Sequence, residues 1–256
     1  MEIILNYFST IEIYLILFFA VFIGATIQSS MGIGFGITGC IIILTDSSMI
    51  PMAILLMGTF LAFSNGLLGL KDILIKDLLY AFSGRIVGTL LSVPLISLTI
   101  GTNSFLIIFG LLLLIAIPLS ALKWNLKANN KNITIAGACS GFMGTLTGVG
   151  GPPMGIVYQN SKRRNVVATL NMFFGFGALF SVIVLASINL LNTVITIKCI
   201  FLAPALIIGI FFGRLETVKI FVSSKFKFLI LIVCAISASL VLMLEFTSYL
   251  IFISIC

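Results

Sequence analysis

Histidine is absent from the 256 residues, and charge is scarce: 8% of positions are Asp, Glu, Lys or Arg, and only seven are acidic. Without histidine there is no raw material for a zinc site of imidazoles and thiolates or for a Cys–His nucleophile pair. The five cysteines, Cys40, Cys139, Cys199, Cys234 and Cys256, lie in or against apolar runs with no C-x-x-C spacing. They read as inert thiols, and neither a metal nor any other cofactor is expected. A phosphate-binding loop of the form G-x-x-x-x-G-K-[ST] is also missing, which argues against nucleotide hydrolysis by this chain. The core of the apolar runs holds no Asp or Glu. An internal carboxylate proton relay and a membrane-embedded acid–base enzyme therefore both lack their working groups, and the expectation is a protein that is not an enzyme.

What is present is apolar bulk. Hydrophobic residues make up 61% of the chain, with a mean hydropathy of +1.31, against about 45–50% apolar and about 25% charged residues in soluble domains. So little polar side chain cannot cover a water-facing surface, and lipid must be the solvent. The length gives room for roughly eight spans of about 20 residues. The formal charge of +7 is no nucleic-acid signal, because the basic residues sit singly or in short clusters between apolar runs, as cytoplasmic loop anchors do. The densest cluster, Lys162-Arg163-Arg164, reads first as a topology anchor and second as a contact for anionic lipid head groups. The first twelve residues carry Glu2 and Glu12 and no basic residue, unlike the n-region of a signal peptide, so the first apolar run is expected to stay in the mature protein.

The apolar runs cover residues 11–44, 49–70, 74–98, 105–122, 133–158, 166–191, 195–212 and 226–244. The first is too long for one helix: its 34 residues would reach about 50 Å against a hydrocarbon core of about 30 Å. The break is expected at Met31-Gly32-Ile33-Gly34-Phe35-Gly36, where three alternate glycines disfavour helix. The same event recurs 116 residues later, from position 32 to position 148, where Gly148-Val149-Gly150-Gly151 runs into Pro152-Pro153. Paired Gly/Pro interruptions at matching places in two halves are the best sequence pointer to a transporter binding site. The halves are 1–122 and 133–256, joined by a polar linker, 123–132.

Loop charge bears on the topology. With eight simple crossings the basic loops divide six to seven between the two sides, against the positive-inside bias. If the broken segment 133–158 returns to the side it came from, 12 of the 14 basic residues share one side: Lys71, Lys76, Lys123, Lys127, Lys131, Lys162, Arg163, Arg164, Arg214, Lys219, Lys225 and Lys227. Lys198 is then outside and Arg85 lies within a span. Each half becomes a broken, re-entrant helix pair plus three full spans, so the expected fold is an all-α integral membrane protein of two inverted-topology repeats, with both termini extracytoplasmic.

Irregular backbone at membrane depth needs protein or a water-filled cavity around it, so the breaks predict a cavity. Gln28, Ser29, Ser30, Gly32, Gly34 and Thr38 surround the first; Thr145, Thr147, Gly148, Gly150, Gly151 and Pro152 surround the second. Hydroxyls, exposed glycine N–H groups and half-helix N-termini all favour a small anion. The alternative is that the glycines serve close helix packing. Arg85, about nine residues into its run and so roughly 13 Å into the membrane, is the natural counter-charge of an anion, with snorkelling as the plainer reading. Its counterpart in the second half, near Leu206, is apolar. Asn65 and Asn171 read better as interhelical hydrogen-bonding groups than as cavity wall.

These motifs carry a resemblance. Gly24, Gly32, Ile33, Gly34 and Gly36 form a G-x-x-x-x-x-x-x-G-I-G-x-G run, and Gly141, Gly148, Gly150, Gly151 and Pro152-Pro153 form its second copy. With four apolar segments per half, the chain resembles the sulfite exporter TauE/SafE family of membrane permeases over nearly its whole length, departing from it in carrying Phe35 between Gly34 and Gly36. The resemblance implies a secondary carrier in the plasma membrane for sulfite, sulfonates or related organic anions, working by alternating access. A small-anion channel and a non-transporting scaffold or assembly protein are the alternatives. The expected partners are the anion and the lipid bilayer; a homo-oligomer is left open.

Overall fold

The computed structural model describes residues 10–121, 126–216, 218, 232 and 235–243. Among them nine α-helices are bounded: α1 (Ile11–Met31), α2 (Gly36–Thr45), α3 (Met52–Gly66), α4 (Ile75–Thr99), α5 (Asn103–Ala121), α6 (Asn130–Thr147), α7 (Gly151–Tyr158), α8 (Arg163–Ser187) and α9 (Thr193–Gly213). Residues 235–243 are also helical, and the described residues contain no strand. Lys123, Lys219, Lys225, Lys227, Cys234, Cys256, Glu2, Glu245, both termini and much of the run 226–244 lie outside the described residues.

Among the described residues six stretches are long and apolar enough to cross a bilayer: Ile11–Met31, Met52–Asp72, Ile75–Thr99, Asn103–Ser120, Arg163–Ser187 and Thr193–Gly213. At 1.5 Å per residue, 21 residues reach about 31 Å, the thickness of the hydrocarbon core. The outside is as apolar as the core. Leu98 is 80% exposed, Leu68 69% and Phe211 65%, while Thr38, Thr89, Ser92, Ser140, Thr145, Thr147, Thr169, Asn171 and Ser181 are fully buried. Apolar side chains fill the interior and also cover the surface, and these hydroxyls turn inward, as lipid solvent favours. The chain is an all-α, multi-pass membrane protein.

Local chemistry sets the helix ends. Thr10, Asn129 and Asn192 cap α1, α6 and α9, each accepting from the backbone N–H three residues on, at 3.3, 2.8 and 2.8 Å, which satisfies a donor the helix cannot. At the other end α1 and α6 stop identically. Gly32 (φ 79°) and Gly148 (φ 73°) take left-handed backbone, and each N–H returns to the carbonyl four residues back, at 2.7 and 2.9 Å. This glycine cap is available to almost no other residue at low strain. Pro152 and Pro153 are not what ends α6. They sit in the first turn of α7, where a missing N–H costs nothing.

Packing repeats between the halves. Helix α4 lies against α6, and α9 against α1; α4 and α9 also touch α8 and α3 respectively, while α3 and α8 pack on one another. Small residues permit the closest approaches. A Cβ on Gly137 would fall 3.0 Å from the Ala81 carbonyl carbon, and one on Gly141 3.0 Å from the Arg85 Cα, so α4 and α6 run side by side and in the same direction. Likewise Tyr14 donates to the Phe201 carbonyl, and Ser30 to that of Gly213, so α1 and α9 are parallel.

Polar contacts tie each end of the bundle. At one end Arg164 pairs with Asp72 (2.6 Å), Arg163 donates to the Ser30 carbonyl (2.9 Å), Arg214 to that of Ser64 (2.8 Å), and Tyr158, closing α7, to Asp77 at the start of α4 (3.2 Å). At the other, Asp46, following α2, pairs with Lys198 in the second turn of α9.

Candidate anion site at the junction of two broken helices

The two breaks touch each other. Cβ atoms built on Gly36, Gly39 and Gly151 would meet Val149 Cα at 3.1 Å, the Thr147 carbonyl at 3.2 Å and Ile33 Cβ at 3.5 Å. The segments 33–39 and 147–155 therefore cross in opposite directions. Each break has a side chain holding its freed backbone. Gln28 Oε1 accepts from the Phe35 N–H (3.2 Å), and Thr147 Oγ1 from the Val149 N–H (3.0 Å).

Arg85 reaches this junction from α4. It is 2% exposed, so its stem does not carry the guanidinium out to water. Nη1 donates to Ser140 Oγ (3.2 Å), whose hydroxyl in turn donates to the Gly150 carbonyl (2.6 Å). The arginine is thus joined by one hydroxyl to the second break. The guanidinium carbon lies 5.2 and 5.8 Å from the ring centres of Phe173 and Phe174, within the range of cation–π attraction. No carboxylate faces it among the described residues, and its Nε is fully buried without a hydrogen-bond partner. A buried cation with an unused donor and no counter-ion is costly unless something else supplies the negative charge.

Two cavities flank the crossing. The smaller, about 40 Å³, is lined by Arg85, Gln28, Phe35, Gly144, Gly148, Gly150 and Phe174, with Ile54, Leu55, Gly58 and Ala178. Both breaks and the arginine meet in it, and it is roomy enough for one compact group or a few waters. The larger, about 330 Å³, is mostly apolar. It runs from Gly34, Gly36, Val149, Gly151 and Pro152 along α7 to Tyr158 and Gln159, with Ala116, Ile117 and Ser120 of α5 opposite, toward the end where the basic loops gather.

The sequence profile of the sulfite exporter TauE/SafE family matches residues 16–241, spanning both breaks, Arg85 and every helix that builds the junction. The chain belongs to the TauE/SafE family. It is a multi-pass membrane protein of a family of transporters rather than enzymes. Searches of curated proteins and of solved structures returned no match.

The expected site residues of this TauE/SafE protein divide among three tasks. Gln28, Arg85, Gly148 and Gly150 line the small cavity, and Gly34, Gly151 and Pro152 the large one. Thr147 braces the second break from inside. Ser29, Ser30, Gly32, Thr38 and Thr145 are taken up by packing. Ser29 accepts from Asn65 (2.9 Å), Ser30 bonds α9, Thr38 donates to the Ala20 carbonyl (3.1 Å), Gly32 abuts Val167, and Thr145 joins Thr89 (3.1 Å) and Ser181 (2.8 Å) between α4, α6 and α8. Gly34 (φ 136°) and its aligned partner Gly150 (φ −91°) differ in backbone, so the second break is not a copy of the first. Asn171 accepts a 3.5 Å bond from Gln28 across helices.

Sequence reasoning did not single out Ser140, Phe173, Phe174 or Gly177. Glycine 177 is required by contact: a Cβ there would fall 2.7 Å from Arg85 Cζ and closer still to Nε and Cδ. Nothing in the spacing of these residues marks them, because they reach Arg85 from two other helices.

Proposed function

We propose that this TauE/SafE protein is a plasma-membrane secondary transporter of small anions, sulfite and sulfonates first among them, with the anion bound at the helix junction. One observation carries the reading: Arg85, buried and lining the small cavity where the two breaks meet, has no acidic partner among the described residues. A protein carboxylate beside the guanidinium would neutralise the site permanently; a buried cation without one suits a ligand that comes and goes. Gly148 and Gly150 bring backbone beside the same cavity, where an anion can replace its hydration shell.

Alternating access is part of the proposal. The large cleft approaches the junction from the end bearing the basic loops, and the Asp46–Lys198 pair ties α2 to α9 at the opposite end. With the basic loops cytoplasmic, this is a state open to the inside. The matched packing of α4 on α6 and α9 on α1 supports two halves of inverted topology rocking about the crossing.

The test is anion flux into proteoliposomes carrying the full chain, with and without Arg85→Gln. Saturable flux with counterflow, lost in the variant although it reconstitutes normally, is expected. Unchanged flux in Arg85→Gln rules out the site; ohmic anion current far above carrier turnover makes the protein a channel.

A further inference from the structure

The charge inventory around Arg85 goes beyond naming an anion, and it rests on the reading that the anion binds there. The lining of the small cavity contains one ionisable side chain, Arg85 itself. The helices packed about it carry their other ionisable groups elsewhere. On α4, Lys76, Asp77 and Tyr80 lie more than a turn nearer the basic-loop end, and Asp77 accepts from Tyr158 of α7. On α6, Lys131 is in the first turn, and Cys139 is exposed. On α8, Arg163 and Arg164 are the first two residues, bonded to the Ser30 carbonyl and Asp72. On α1, Glu12 is in the first turn, and Tyr14 gives its hydroxyl to the Phe201 carbonyl. The Cys40 thiol of α2 reaches the Gly36 carbonyl, and Lys198 of α9 pairs with Asp46 while Cys199 reaches the Ala53 carbonyl. α3 has no ionisable residue.

We propose that the transported species is a monoanion, and that an anion with a second acidic proton is carried with that proton still on it. One guanidinium neutralises one negative charge. A dianion would leave a net charge in a cavity of about 40 Å³ walled by Phe35, Ile54, Leu55 and Phe174, where an uncompensated charge is penalised heavily. Among the described residues no carboxylate faces the cavity, and the sequence has no histidine, so nothing there takes a proton from the ligand or returns it. A simple alkyl sulfonate such as methanesulfonate, singly charged at every physiological pH, fits as it stands. Sulfite fits as hydrogensulfite, whose second ionisation falls near neutrality. The proton arrives on the anion and leaves on it, so one turnover moves a single negative charge, and the substrate itself provides the link to pH.

The experiment is flux into proteoliposomes of the full chain with three probes: methanesulfonate, a fixed monoanion; sulfate, a dianion at neutral pH; and sulfite, measured on the acid and alkaline sides of neutrality. Methanesulfonate flux should be independent of pH, sulfite flux should follow the hydrogensulfite fraction, and sulfate should run about a hundredfold or more below methanesulfonate. Sulfate within about tenfold of methanesulfonate, or sulfite flux that stays level as hydrogensulfite disappears, overturns the proposal. An Arg85→Gln arm separates the two levels. If methanesulfonate flux survives in that variant, the Arg85 site itself is wrong. If it is lost while sulfate moves freely through the wild type, only the charge rule is wrong.

Discussion

Gly177→Ala tests the site without replacing any group that could bind the anion. In an ordinary helix interior this change stabilises by about 1 kcal/mol, because glycine is the poorer helix former. Here the new methyl would stand 2.7 Å from Arg85 Cζ and nearer still to Nε and Cδ, a separation that real side chains do not tolerate. The sign should therefore reverse. Overpacking of a filled interior costs about 1–3 kcal/mol, and relief requires the guanidinium to leave Ser140 and the faces of Phe173 and Phe174, to which it is now held. Misplacing a binding group by about 1 Å can cost about a hundredfold. Gly177→Ala should lower the thermal midpoint and weaken anion-dependent stabilisation of the purified protein by about ten- to a hundredfold in concentration. Gly175→Ala, two residues away and crowded by the Phe63 ring at 3.0 Å, controls for crowding in α8 away from Arg85: it should destabilise but leave anion affinity close to normal. A folded Gly177→Ala protein that binds methanesulfonate as well as wild type would refute the argument that the packed position of Arg85 makes the site.

Other consequences are more local. Gly32→Ala and Gly148→Ala each force a side chain into left-handed backbone, costing about 1–2 kcal/mol, with an added clash on Val167 or Ile54; both should show as reduced thermal stability in detergent. Ser140→Ala removes the hydroxyl between Arg85 and the Gly150 carbonyl and should weaken anion binding about tenfold, consistent with loss of about 1.5 kcal/mol from a charge-assisted bond; unchanged binding in a titration would show that the link is incidental. Cysteines replacing Asp46 and Lys198 should arrest flux when oxidised to a disulfide and release it on reduction, whereas flux through the oxidised protein would exclude movement at that end. Cysteine labels at Asn160 and Glu216 should both report the cytoplasmic side, and opposite sides would break the proposed orientation.

The breaks were legible from sequence because glycine makes backbone chemistry visible in one dimension. Gly32 and Gly148 adopt the left-handed caps that the repeated motif suggests, and α1 is cut short of the length its apolar run would allow. The prolines mark the second break without making it: no helix runs through Pro152-Pro153, but α6 had ended at Gly148 already, and first-turn prolines start α7. The hydroxyls near the breaks were legible as polar but not as to direction. Ser29, Ser30, Thr38 and Thr145 are spent on neighbouring helices, because in a lipid-solvated bundle interhelical contacts compete for every buried donor.

Composition and run length determined the solvent and the helical class: with 8% charged residues the solvent is lipid, where helices and closed barrels alone satisfy the backbone, and apolar runs of about 20 residues without alternation are those of helices. They also determined that any charge deep in a span would be singular, and Arg85 is. What only the tertiary structure decided is the company that charge keeps. Ser140, Phe173, Phe174 and Gly177 come from α6 and α8, as far as 92 residues along the chain, and they converge because small residues let α4 and α6 approach to backbone contact and leave room at Gly177 of α8 for the Arg85 side chain. Periodicity can assign a residue to a helix, but which helices press together, and which side chains they trap between them, is settled by shape matching in three dimensions.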